Sequence, residues 1–169
     1  YTTGRFLELD LNTRRNLELT ETLRGKDKRG SLLWVLDKTK TAMGGRLLRS
    51  WMEKPLLDPI EIGKRQSAVE ELVQQPVVRG ELTERLREIS DLERVMTRIV
   101  TGSANGRDLV SLSQGCRVLP GLKEELGRLE APMLRKLWEQ IDTLEDCTAL
   151  IDRTIVDEPP FTIREGGLI

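Results

Sequence analysis

Apolar and polar positions along this chain alternate mostly with a helical period, and turn residues punctuate them. Met43, Leu47 and Trp51 recur four apart with Leu48 and Met52 beside them, so one apolar stripe is predicted there. Arg46, Arg49 and Glu53 fall away from that stripe. Thr39 and Thr41 are candidate caps, because a threonine hydroxyl can accept from the orphan amides of a helix start. Ser31 likewise predicts a short helix through Leu32, Leu33, Trp34, Val35 and Leu36. Pro55 closes the second of these helices, and Asp58-Pro59 opens another with proline at its first position.

Earlier in the chain, residues 6–9 alternate and predict a short strand, after which Asp10 or Asn12 caps a brief helix through Leu17. Residues 24–30 hold two glycines and four basic residues and predict an exposed loop. In the helix from Pro59, the residues expected to face inward are Ile62, Val69, Leu72 and Val73, with Pro76 as its break. Leu82, Leu86, Ile89, Met96 and Ile99 supply further repeats, with Ser90 or Asp91 as a cap between two helices.

Gly106 opens the longest pattern. Leu109, Leu112, Cys116, Leu119, Leu122, Leu126 and Leu129 follow one another three or four apart. Such a seam wants a partner along its length, and Pro120 predicts a kink or break within it. Leu134, Leu137, Trp138, Ile141, Leu144, Leu150 and Ile151 belong to a last helical region that Pro159-Pro160 stops. Residues 161–163 read as a strand and Gly166-Gly167 as a turn. The fold class expected is all-α, a multi-helix domain with short β elements near both termini.

Composition narrows this picture. At 169 residues the chain suits one domain, or one and part of another. That length can bury about 70% of its unfolded surface. The 38% apolar and 33% charged content fits a helix-rich protein rather than a disordered one. No apolar run approaches the roughly 20 residues of a membrane span, and no signal-peptide pattern is present. Cys116 and Cys147 are expected to be reduced thiols in helices, in keeping with a cytoplasmic protein.

The net charge of -1 conceals an asymmetry. Residues 24–54 carry nine Lys/Arg against three Asp/Glu, and residues 121–169 carry six against eleven. A basic stretch can face phosphates. Here it is interrupted and has no aromatic ladder for stacking bases, so solvated helix faces explain it better.

The chain has no histidine, which removes the commonest general base and metal ligand. Glu70-Glu71 and Glu124-Glu125 are consecutive on helices and so point different ways; solvation is the simplest reading of both. Residues 25–31 have the glycine spacing of a phosphate loop, but Ser31 stands where the lysine belongs. No catalytic, cofactor-binding or metal-binding residue is expected.

Residues 9–19 (LDLNTRRNLEL) and 30–59 resemble segments of the bacterial MutS family of DNA mismatch-repair ATPases. The resemblance continues through Arg65, Ala68-Val69-Glu70, Asp91-Leu92-Glu93-Arg94, Pro159-Pro160 and residues 164–169, in the same order and at compatible spacing.

It implies the first segment of that family's core, or lever, domain over residues 1–158, with 159–169 starting the connection to a clamp domain. By that resemblance the fragment is not itself an enzyme and holds no cofactor. ATP and Mg belong to an ATPase head of the full-length protein that has no counterpart here. The implied partners are the connector, clamp and ATPase domains, with mismatched double-stranded DNA reached through the full-length protein.

The residues singled out are structural. Trp34, Leu47, Leu48 and Trp51 are expected to pack, Pro55 to end a helix, and Arg46, Arg65 and Arg94 to fix helix ends or acidic partners. The seam over 109–129, deprived of its natural neighbour, is expected to be exposed and to drive self-association. The alternative reading is an autonomous helical interaction module that binds through this seam.

Overall fold

The computed structural model describes residues 4–160 and 167, and the chain divides into two compact units, residues 1–67 and 68–169. Ten helices follow one another among the described residues: α1 (Leu11–Asn16), α2 (Leu32–Leu36), α3 (Ala42–Glu53), α4 (Pro59–Gln74) and α5 (Pro76–Glu88). Then come α6 (Leu92–Val100), α7 (Gly106–Cys116), α8 (Leu119–Leu126), α9 (Pro132–Gln140) and α10 (Glu145–Thr154). The division falls inside α4.

In the first unit, short-range polar contacts set the helix starts. The Asp10 carboxylate accepts from the Thr13 amide at 2.6 Å. Ser31 accepts from the Trp34 amide, and its own hydroxyl donates to the Lys28 carbonyl at 2.7 Å. Thr41 accepts from the Gly44 amide at 2.9 Å. Each satisfies an amide that the first turn of a helix leaves without a partner. The amides of Leu32 and Leu33 donate to the Glu18 and Leu19 carbonyls, which docks α2 beside the chain leaving α1.

The strand expected over 6–9 is reduced to one isolated antiparallel bridge, Phe6 with Leu56. Its flanking bonds are Leu7 N–H to the Pro55 carbonyl at 2.8 Å and Leu57 N–H to the Arg5 carbonyl at 3.4 Å. Pro55 has no N–H to continue a ladder, and Pro59 already begins α4.

The second unit has a continuous core. Ala68, Val78, Leu82, Leu122, Leu126, Leu129, Ala131 and Leu134 are buried together, with Leu86, Ile89, Trp138 and Ile141 packed against them. α5 lies on α8, α8 on α9, α6 on α7 and α10 on α7. Asp91 caps α6, and Asn105 with Asp108 forms a reciprocal capping box on α7. The expected break near Pro120 falls between α7 and α8, with Pro120 in the first turn of α8.

Two expectations about faces are corrected. Leu72 packs on the core as expected, but Val69 and Val73 are each 61% exposed and Ala68 is buried in their place. Ala68 and Leu72 share one line four apart, and each valine sits about 100° round the helix from it. Met96 is likewise exposed and its neighbour Val95 buried.

The seam over 109–129 is not an exposed strip. Cys116, Leu122, Leu126 and Leu129 are buried, and Leu109, Leu112 and Leu119 are half-buried. The chain supplies the partners itself, since α10 covers α7 while α5 and α9 cover α8. The strand expected over 161–163 lies outside the described residues. So does Gly166, while Gly167 has a left-handed φ of 71°.

Candidate functional site: the joints between helices

Several polar side chains with defined partners sit where one helix meets another, and others pair within a helix or beside one. In the first unit, Arg65 of α4 stacks its guanidinium 3.5 Å from the centre of the Trp51 ring of α3. Burial, with the Arg5 charge adding to it, lowers the Arg65 pKa. Arg49 pairs with Glu53 one turn on, at 2.9 Å. Lys28 reaches Asp37 just beyond α2 at 2.6 Å, and the Thr39 hydroxyl donates to the same carboxylate. These bonds, Lys28 first and Thr39 next, hold the Asp37 pKa down to about 2.

Among the described residues of the second unit, four joints of this kind stand out beside the Arg98–Asp108 pair between α6 and α7 at 2.9 Å. Glu71 of α4 accepts from the amides of Glu130 and Ala131, both at 2.7 Å. Those amides precede α9, whose N-cap residue, Ala131, has no side chain able to cap. A carboxylate from another helix therefore does the capping and also suits the positive end of the helix dipole.

The second joint is a buried charge cluster. The Glu125 side chain is 4% exposed, with Arg128 at 2.9 Å and Arg85 of α5 at 3.9 Å. Gly121 lies one turn before Glu125 and makes room for this approach. A Cβ there would stand 2.2 Å from Arg85 Nη1. A buried carboxylate stripped of its cations would be strongly destabilising.

In the third, Asp152 of α10 accepts from the Ser113 hydroxyl and pairs with Arg117, each at 2.7 Å. The Ser113 bond, then Arg117, lowers the Asp152 pKa. In the fourth, Lys123 Nζ donates to the Ile141 carbonyl at 2.7 Å, closing the end of α9 onto α8. The Arg135 guanidinium and Lys123 Nζ lie 4.9 and 5.9 Å from the centre of the Trp138 ring.

The residues singled out from sequence fare differently. Trp51 and Arg65 meet. Leu48 is half-buried, and the Pro55 carbonyl receives the Leu7 amide just past the end of α3. Leu47 and Trp34, expected to pack, are 52% and 48% exposed. Arg46 and Arg94 are exposed, with Arg94 donating its backbone amide to Asp91.

Glu71 and Glu125, read as solvated, are both engaged. The available signals were positional. Glu125 is three residues after Leu122 and four before Leu129, on the buried seam. Ala131-Pro132 begins a helix with no cap of its own.

Among the described residues, no group of three or more cysteine and acidic side chains is gathered to hold a metal, and no helix is long and apolar enough to cross a membrane. The arrangement clamps helix to helix. It defines a multi-helix all-α domain whose ionised side chains fix the angles between its rods.

That class has a family. The model of MutS domain III matches residues 12–169, and the chain belongs to this family. It is 51% identical over its whole length to the DNA mismatch repair protein MutS of Lachnoclostridium phytofermentans, covering 18% of that protein. It is 50% identical to the proteins of the same name from Ruminiclostridium cellulolyticum and Symbiobacterium thermophilum, covering 19% of each. The chain thus spans about a fifth of the length of the curated relatives it matches.

Proposed function

We propose that this chain is the first lever segment of a MutS-type mismatch-repair protein. In this reading residues 1–158 form the lever and 159–169 lead into the clamp. The lever joins the connector, clamp and ATPase domains and passes conformational change between mismatched DNA and the nucleotide site. It acts in the cytoplasm, and the ATP and Mg of the whole protein bind outside this segment, which performs no catalysis.

The observation that best supports this is a pair of side-chain clamps in the second unit, one tying α4, α5, α8 and α9 together and one tying α7 to α10. Packed helices held together in this way can shift as rigid pieces, which coupling between distant sites requires. The interaction-module reading loses its surface, because the seam it needs is already covered. Self-association through that seam loses its basis for the same reason.

The test is made in the full-length protein. Glu71→Ala should leave basal ATP hydrolysis and mismatch binding in place while the effect of mismatched DNA on hydrolysis falls roughly fivefold or more. Unchanged coupling with a confirmed loss of the Glu71 contacts would refute the lever role. Direct DNA binding by residues 24–54 of this chain is expected to be weak and to fall steeply with salt.

A further inference from the structure

Cys116 is 2% exposed at the end of α7, while Cys147 is exposed in the first turn of α10; both thiols are free. Three contacts fix the register of these two helices. Ser113 and Arg117 both meet Asp152, and Arg107 Nε donates to the Pro159 carbonyl at 3.1 Å. Moving back along α7 thus moves forward past α10, so the two run antiparallel.

One turn in the other direction leads from Ser113 to Cys116 and from Asp152 back to Thr148, with Cys147 the next residue along and on the flank of that face. The two sulfurs therefore lie toward the same end of the α7–α10 contact. Burial, and after it the charge on Cys147, raises the Cys116 pKa. Cys147 also sits one turn before Ile151, which is half-buried.

The entry to α10 is held by the Leu144 amide donating to Asp142 at 3.0 Å and the Thr148 hydroxyl donating to the Leu144 carbonyl at 2.9 Å. Leu144, the N-cap residue, has a left-handed φ of 53° and makes no side-chain capping bond. A shift of this turn toward α7 must carry these local bonds with it. Bridging requires the two Cα atoms to come within about 7 Å.

We propose that Cys147 and Cys116 form a thiol pair that a small-molecule disulfide, such as oxidised glutathione, converts into a covalent link between α10 and α7. The exposed Cys147, as thiolate, attacks one sulfur of the disulfide and expels one thiolate. Cys116 then gives up its proton and attacks Cys147 Sγ, expelling the second. Two protein thiols are oxidised, one small disulfide is reduced to two thiols, and the link reverses with excess thiol. In a reducing compartment it would be a transient, regulatory bond. It pins the joint that Asp152 already bridges, and it stands independently of the lever reading.

The test is peptide mapping after native oxidation with oxidised glutathione. Trypsin cleavage at lysine and arginine isolates residues 108–117 and 137–153, each with one cysteine. The expected product is these two peptides linked within one chain, at a rate independent of protein concentration and reversed by dithiothreitol. Cys147→Ser should leave Cys116 unmodified, and Cys116→Ala should stop at a stable glutathione adduct on Cys147. A stable adduct on Cys147 in the unaltered chain, with Cys116 still free, would overturn the proposal. So would a Cys147–Cys147 dimer as the main product.

Discussion

Among the described residues, 1–67 bury Leu19, Ser31 and Leu33, whereas 68–169 bury a connected set running from Ala68 to Leu134. The first unit leaves Leu32, Trp34, Val35, Leu36 and Leu47 about half exposed. Its shape is set locally, by caps at Asp10, Ser31 and Thr41 and by the Trp51–Arg65 stack. In the second unit, apolar burial does most of the holding, and the charged joints fix which helix lies against which. Similar helical patterning thus yields two kinds of structure, depending on whether another helix returns to cover the apolar face.

The contrast can be broken most forcefully at its extremes. Leu129→Ala removes a side chain of 0% exposure and should cost about 3–5 kcal/mol in denaturant unfolding. Leu47→Ala, at the half-exposed position, should change stability by roughly 0.5 kcal/mol. Equal losses at the two positions would erase the distinction.

The joints give intermediate effects. Glu71→Ala removes the acceptor of one part-buried and one exposed backbone amide and should cost about 1–3 kcal/mol. Gly121→Ala must displace Arg85 from its place beside Glu125 and should cost about 1–3 kcal/mol. Combined with Arg85→Ala, the Gly121→Ala penalty should shrink, because the obstructing guanidinium is gone. An undiminished penalty would place the strain elsewhere. In the first unit, Arg65→Ala should cost only about 1 kcal/mol, with a change in Trp51 fluorescence.

The smallest effect is one of pH. Asp37 has a folded pKa of about 2, below its ordinary 3.8. Its contribution is therefore complete above the ordinary value and lost as pH falls through the folded one. Carboxyl chemical shifts should show Asp37 titrating near 2, and Lys28→Ala should move that midpoint upward. A midpoint insensitive to Lys28 would remove the ion pair from the account.

The legible features in the sequence were those whose causes are close together along the chain. Asp10, Ser31, Thr41 and Asp91 act three residues away, and Pro55, Pro76 and Pro120 act on their own backbone. Leu122, Leu126 and Leu129 were legible as a seam because their spacing repeats. What covers a face is not written in its spacing, so Leu47 was placed inside and the seam outside. Glu71 was missed because its partners lie some 60 residues away. Glu125 was missed because its burial depends on α5, whose Arg85 is some 40 residues away, although Arg128 beside it was in reach. Family membership was legible because its motifs kept their order, even though none of them carries chemistry.

Amide hydrogen exchange resolved to peptides tests most directly whether the second unit is the stiff body through which coupling passes. Amides of α5, α8 and α9 should exchange together and slowest, through opening of the whole core, while α2 and the loop at residues 23–30 should exchange orders of magnitude faster. Comparable protection in the two units, or independent opening of α5, α8 and α9, would contradict the account.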